Sequence, residues 1–168
     1  GSAHTIAFRD ITPVGANLPS FLAGTTVSYD TVAGGTHFTH LYTQNGVLQS
    51  EILSSSTQLQ ADVNFAAGTV DIAFNGNFTT ANGSSGQWNL AGSAANNFSG
   101  TAFTFVSLAG TVQSAGISGS NGVNCSANCN IVGQTDTVLL GQFAEGFGGA
   151  VSADTAVTNA SQPVFTLS

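Results

Sequence analysis

The chain has 168 residues and a net charge of −7, and only 5% of its residues are charged, against about a quarter in an average globular domain. Arg9 is its single Lys or Arg residue, so nothing is available to neutralise the phosphates of a nucleic acid or an anionic membrane surface. Hydrophobic residues make up 42% of the chain, with 12 phenylalanines, which favours a packed core over disorder. One domain over residues 1–168 is the simplest expectation for this length.

The sequence contains no run of about 18 apolar residues, so we expect no membrane-spanning helix. Gly1 and Ser2 look like an expression scar, so any secretory leader would already have been removed. A surface rich in Ser, Thr, Asn and Gln with almost no cation is typical of secreted and cell-surface bacterial proteins. We therefore expect an extracellular or outer-membrane-associated location, with a lipid anchor as one way of attachment.

The first third of the chain alternates between β-prone segments and breakers. The breakers Pro13, Gly15 and Pro19 predict a loop or short helical turn over residues 11–22. Asn45-Gly46 predicts a tight turn that needs positive φ. Strands are predicted over residues 3–9, 24–32, 36–43 and the first part of 47–59.

The clearest pattern is a hairpin over residues 59–78. Polar and apolar residues alternate with period two on both sides of the Ala67-Gly68 turn, which is typical of a half-buried antiparallel pair. A register centred on that turn makes Asp62 and Asp71 cross-strand neighbours.

The rest of the chain continues as short β-prone segments with Gly/Asn turns. Strands are predicted over residues 87–93, 97–106, 108–117, 131–132, 138–143, 149–152 and 164–167, with a surface loop over 118–130. The predicted fold is all-β, an antiparallel up-and-down β-barrel of about eight strands, with a β-sandwich as the alternative. Candidates for its interior are Phe65, Ile72, Phe74, Trp88, Leu90, Phe103, Phe105, Leu140 and Phe143.

Two cysteines, Cys125 and Cys129, lie in the predicted loop. In an exported protein such a pair predicts a local disulfide. A zinc site would need four ligands, and no histidine neighbours this pair in sequence, so we expect no metal.

The segment THFTHLYT places two histidines and a tyrosine close together. On a strand, His40 and Tyr42 share one face and His37 lies on the other, so the two histidines do not readily chelate one ion. Because His and Tyr are both axial ligands of haem iron, a haem or ligand site at His40, Tyr42 or His37 is one interpretation. A polar barrel strand with no cofactor is the alternative.

The eight carboxylates are scattered along the chain. A glycosidase would need two of them converging in a cleft, and no nucleophile elbow, calcium loop or phosphate-binding loop is present. We therefore expect no enzymatic activity.

Two segments resemble a known family. GQWNLAG at residues 86–92 precedes Phe98-Ser99-Gly100, and GQF is followed by AEGFGGAVSA. These resemble the β-barrel domain of transferrin-binding protein B-like surface proteins of Gram-negative bacteria, whose late strand pair reads G-x-F-x-G-x-x-A-x-E-x-G-G-x-F. The matching positions are Gly141, Phe143, Ala144, Glu145, Gly148 and Gly149.

The resemblance implies a closed antiparallel barrel, a surface or secreted location, and binding to a host protein, haem or another macromolecule. It transfers no ligand-contact residue. From the residues themselves, the glycines would allow bends or bulges, and Glu145 would accept backbone N–H bonds in a structural role.

Together these features predict an exported, non-catalytic binding module that presents polar loops to a protein or small ligand, the longest being residues 118–135. A self-associating structural component of an extracellular assembly is the second hypothesis, since uncapped strand edges favour association. A haem carrier is the third.

Overall fold

A computed structural model describes residues 20–31, 38–51, 57–95, 103–119, 122–155 and 164–168. The predicted strand over residues 3–9, residues 11–19 of the predicted loop and the residue His37 lie outside this part, as does the side chain of the interior candidate Phe103. The described elements are a 3₁₀ turn at Ser20–Leu22 and the strands β1 Thr26–Asp30, β2 His40–Gln44, β3 Val47–Glu51, β4 Gln58–Asn64, β5 Thr69–Thr79, β6 Ser85–Ala95, β7 Phe103–Ser114, β8 Cys129–Leu140, β9 Gly146–Thr155 and β10 Phe165–Leu167.

All ten strands belong to one antiparallel sheet with the order β1-β4-β5-β6-β7-β8-β9-β10-β2-β3. Strands β4 to β9 follow one another as an up-and-down meander. The β2–β3 hairpin pairs with β10 at one end of the order, and β1 pairs with β4 at the other. The all-β, antiparallel prediction is confirmed, and the described residues form ten strands where about eight were expected.

Two strands each join segments that the sequence pattern predicted as separate strands. Residues 103–114 form one strand, β7, where two were expected on either side of Ser107. Likewise, β8 is a continuous strand of 12 residues that includes the end of the predicted 118–130 loop. The pattern broke at small and polar residues such as Gly133, yet each of these pairs in the ladder with a neighbouring strand.

The sheet curls, so that strands distant in its order meet across a shared core. On one side, β2 faces β5 and β6, and the rings of Phe38 and Trp88 lie 5.2 Å apart, edge to face. On the other side, the Tyr29 hydroxyl of β1 donates a 2.7 Å hydrogen bond to the Ala144 carbonyl, and its ring stacks on Phe147 of β9. The result is a curled, half-barrel sheet with side chains filling its inner face.

Most of the predicted interior residues that the structure describes are inside. Ile72, Phe74, Trp88 and Leu90 are buried, and Phe65 is partly buried against them. The inner face of the sheet is completed by residues outside that list of candidates, including Val63, Val70, Val106, Leu108, Val112, Ile131, Leu139, Phe165 and Leu167.

Two predicted interior residues are wrong, and a third is displaced by one position. Phe105 is 54% exposed, because Val106 and the residues alternating with it take the inner face of β7. Phe143 is 48% exposed, because it lies in the turn after β8 rather than on a strand. Leu140 is only half-buried, since its neighbour Leu139 points inward.

Turns contain the residues that their backbone requires. Asn45 and Gly46 both have positive φ, 51° and 81°, as predicted for the β2–β3 turn. Gly68 and Gly83 take the same role in the β4–β5 and β5–β6 connections. In the described part of the chain, no helix has the length and apolar character needed to cross a bilayer.

Candidate functional site

His40 lies at the centre of the core rather than in an open site. Its side chain is fully buried between the rings of Phe78, Trp88 and Phe165, whose centroids lie 5.5 to 5.9 Å from that of the imidazole. The Phe78 and Phe165 centroids are 5.4 Å apart. The Trp88 indole N–H donates a 3.0 Å hydrogen bond to His40 Nε2. Because Nε2 accepts, the proton of the neutral ring is on Nδ1, which has no hydrogen-bond partner among the described residues.

Burial has a direct electrostatic consequence for this imidazole. It lowers the pKa of His40 from 6.5 to about 4, because the charged form would have to exist away from water. The ring is therefore neutral at pH 7. It links β2 to β6 as a hydrogen-bond acceptor.

Tyr42 is also buried, and its hydroxyl accepts a 2.6 Å hydrogen bond from the Ala81 backbone N–H. The two described haem-ligand candidates thus face inward: His40 is bonded to Trp88 on β6, and Tyr42 to the β5–β6 turn at Ala81. Coordination of haem iron by His40 or Tyr42 would require this core to open. The haem hypothesis stays a prediction, and the geometry does not favour it.

The predicted disulfide is confirmed. Cys125, fully buried in the β7–β8 connection, is bonded to Cys129, the first residue of β8. The connection folds back on the β2–β3 hairpin: Ser118 donates its N–H to the Thr43 carbonyl, and Gly46 donates to the Ser118 carbonyl. Within this connection Ile117 is also fully buried. The predicted polar binding loop is, in its described part, a disulfide-tied cap over one end of the core.

The family-like motif forms the β8–β9 turn. Gly141 has a φ of 85°, and a side chain there would collide with the Glu145 carboxylate. That carboxylate accepts a 2.9 Å hydrogen bond from the Phe143 N–H, the structural role that the sequence suggested for it. Gly148 and Gly149 follow on β9 and pair with Val138 and Thr137 of β8.

Tyr29 packs against the same turn, and its hydroxyl is affected by the turn's charge. Burial, and secondly the negative charge of Glu145, raise the pKa of Tyr29 from 10.0 to about 12. The turn is thereby linked to β1, the strand at one edge of the sheet.

The outer face of β4, β5 and β6 carries an open groove of about 440 Å³. Its floor is made of small groups: Ala73, Ala91 and Gly92. Asp62 and Asp71 occupy opposite positions on β4 and β5, and Ser93 is opposite Asp71 on β6. The full lining is Gln60, Asp62, Asp71, Ile72, Ala73, Ala91, Gly92 and Ser93.

The carboxylates of Asp62 and Asp71 both line this groove. The Ser93 hydroxyl donates to an Asp71 carboxylate oxygen. One oxygen of Asp62 is buried without a hydrogen-bond partner among the described residues. Side-by-side carboxylates on opposing strands repel each other unless something donates to them. The groove therefore favours a ligand rich in hydrogen-bond donors and disfavours an anion.

Sequence reasoning found only part of this groove. The hairpin pattern correctly predicted that Asp62 and Asp71 are neighbours, which the register confirms. It missed Ser93 and the small-residue floor, which depend on how β5 pairs with β6. Within the described residues, no group of three or more His, Cys, Asp or Glu side chains is arranged to hold a metal ion.

Comparisons of the chain with models of protein families, with curated proteins and with solved structures give no match. The resemblance to transferrin-binding protein B-like barrels therefore stays a prediction.

Proposed function

We propose that this protein is an exported, cell-surface or secreted, non-catalytic binding module whose ligand lies in the groove on the outer face of β4–β6. The observation that carries the proposal is the groove itself: a volume of about 440 Å³ with two opposed carboxylates and a small-residue floor. Pockets for small ligands have volumes in this range.

The lining favours one class of ligand. Carboxylate, amide and hydroxyl groups converge over a floor of methyl groups and backbone, which suits the hydroxyls and the apolar ring face of a sugar. Since the lining contains two carboxylates and no cation, an anionic sugar would be repelled. The proposed ligand is a neutral or amine-bearing glycan.

The groove replaces the loops as the proposed binding surface. The described part of the β7–β8 connection is bonded to the β2–β3 hairpin through Ser118 and closed by its disulfide. Those contacts give this connection a structural role. An extracellular location is supported by the disulfide, which persists in oxidising compartments.

The test is calorimetric titration with three hexasaccharide probes: N-acetylglucosamine, glucosamine and galacturonate oligomers. We expect the neutral or the amine-bearing probe to bind and the galacturonate probe not to bind. The variant Asp62→Asn/Asp71→Asn should weaken that binding at least tenfold. Asp136→Asn, which changes an exposed carboxylate on β8 outside the groove, serves as the matched control and should bind as the unmodified protein does.

Failure of both non-anionic probes to bind would count against the proposal. So would binding that the double variant and the control reduce equally. Parallel titration with haem and with iron-loaded host transferrin tests the ligands that the family resemblance implies.

A further inference from the structure

Strand β3 ends the sheet order, and among the described strands only β2 pairs with it. Val47 and Leu48 on this strand are 60% and 61% exposed, the two highest values among the exposed large hydrophobic side chains of the described residues. Neither Lys nor Pro, the residues that commonly protect an edge strand, occurs in its sequence VLQSE.

The direction of the backbone groups on β3 follows from the pairing of β2. Thr39 and Thr43 donate their N–H groups to β10, at the carbonyls of Ser168 and Val164. Hydrogen-bonded and non-hydrogen-bonded positions alternate in an antiparallel pair, so Tyr42 directs its backbone groups to its β3 partner, Gln49. The N–H and C=O groups of Leu48 and Ser50 therefore point away from β2, towards the outer edge.

The other edge of the sheet is different. Strand β1 is held against the β8–β9 turn by the Tyr29 hydrogen bond to Ala144 and by the stacking of Tyr29 on Phe147. A second strand approaching β1 would meet this contact. Association of β3 with β1 of another copy, which would propagate into a filament, is therefore disfavoured.

We propose that β3 pairs with β3 of a second copy, antiparallel, about a two-fold axis through Gln49. In this register Leu48 is opposite the second copy's Ser50, and Val47 is opposite the second copy's Glu51, so no like charges meet. The outward backbone groups of Leu48 and Ser50 form the ladder. Because the interface is the same on both copies, assembly stops at a dimer.

This inference goes beyond the proposed binding function and is independent of it. The groove lies on the outer face of β4–β6, whereas the β2–β3 hairpin approaches β6 from the inner, core side, so the dimer leaves the groove open. Two short strands bury little surface, so the dimer is a weak one.

Sedimentation equilibrium up to about 1 mM protein, the weak end of specific association, tests the proposal. The unmodified chain should show a monomer–dimer equilibrium. Leu48→Lys, which places a charge in the edge ladder, should raise the dissociation constant at least tenfold. Val132→Lys is the matched control, because Val132 is 53% exposed on β8 and lies away from the edge. It should dimerise as the unmodified chain does.

Cross-linking tests the register. Gln49 opposite itself is a non-hydrogen-bonded pair, with Cβ atoms about 4.5–5.5 Å apart, a distance near that which a disulfide requires. Gln49→Cys should therefore form a covalent dimer under mild oxidation, and Gln134→Cys, exposed on β8, should not. A strict monomer at 1 mM, equal dimerisation of Leu48→Lys and Val132→Lys, or equal cross-linking of the two cysteine variants would overturn the proposal.

Discussion

The His40 side chain connects β2 to β6 across the core, and its burial disfavours the protonated imidazole. Its imidazole accepts from the Trp88 indole and is enclosed by the rings of Phe78 and Phe165. None of the described side chains in ring contact with it carries a charge that would stabilise an imidazolium. Stability must therefore depend on pH at this position.

The first prediction is the sign and size of that dependence. The unfolded chain takes up a proton at His40 near pH 6.5, whereas the folded chain does so only near pH 4. Stability is therefore lost as the pH falls from 6.5 to 4, by roughly 3 kcal/mol at pH 4 from this group. Urea unfolding of the unmodified protein and His40→Gln at pH 7 and pH 4 measures the difference. Equal losses in both proteins would contradict this account.

Gly76 has a specific packing role beside Trp88. A Cβ built at Gly76 would lie 2.8 Å from the indole ring, too close for the ring to stay where His40 and Phe38 hold it. We expect Gly76→Ala to lower the free energy of unfolding by about 1–3 kcal/mol.

Trp88 is the single tryptophan, so its fluorescence reports this change directly. Gly146→Ala on β9 is the control. Its new Cβ would have the Leu140 Cβ as its nearest atom, at 3.3 Å, and a slight shift of Leu140 relieves that contact. The control should lower the free energy of unfolding by less than Gly76→Ala does and leave the tryptophan emission unchanged. A larger loss of unfolding free energy in Gly146→Ala than in Gly76→Ala would show that the indole is not tightly packed.

At the scale of elements, the β7–β8 connection holds the β2–β3 hairpin in place through backbone hydrogen bonds. Cys125 and Ile117 are both fully buried within it, and Ser118 bonds to the hairpin backbone at Thr43 and Gly46. The disulfide therefore stabilises both the connection and the hairpin that it contacts.

Replacement of the disulfide should expose that coupling. For the loop that the bond closes, chain entropy predicts a loss of about 2 kcal/mol in Cys125→Ala/Cys129→Ala. Amide hydrogen exchange should accelerate at Gly46 and Ser118, while Val63 in the β4–β5 hairpin keeps its protection. Unchanged exchange at Gly46 would show that the position of the hairpin does not depend on the disulfide.

The β8–β9 turn is stabilised by Glu145, which also influences Tyr29. In Glu145→Gln the amide oxygen still accepts from the Phe143 N–H, but the negative charge is lost. The pKa of Tyr29 should then fall below about 12, with stability little changed. Spectrophotometric titration of the tyrosines measures this shift. In Glu145→Ala the acceptor is lost too, and we expect about 1 kcal/mol of destabilisation.

For the whole molecule, local alternation was sufficient to predict fold class, several turns and the β4–β5 register. It failed for Phe105 because the phase of a long strand is set along its whole length. Phe105 is on the outer face of β7, whereas Val106, Leu108 and Val112 are buried on its inner face. Dividing the strand near Ser107 concealed that longer pattern.

The candidate site and the core contacts were harder to predict for a related reason. The groove needs the β5–β6 register, which places Ser93 opposite Asp71. The bond between His40 and Trp88 needs the curl of the sheet, which brings β2 over β6. The groove and the His40–Trp88 bond both join residues that are far apart in sequence. Local periodicity therefore cannot predict either of them.

The central claim is that the inner face of the sheet is a sealed core and that ligand binds outside it. The most direct test is amide chemical-shift mapping during titration with the glucosamine or N-acetylglucosamine hexamer. We expect shifts concentrated at Gln60, Asp71 and Ser93, with the Trp88 indole N–H signal unchanged. Shifts at the Trp88 indole and in the β7–β8 connection, with none on the outer face of β4–β6, would contradict it.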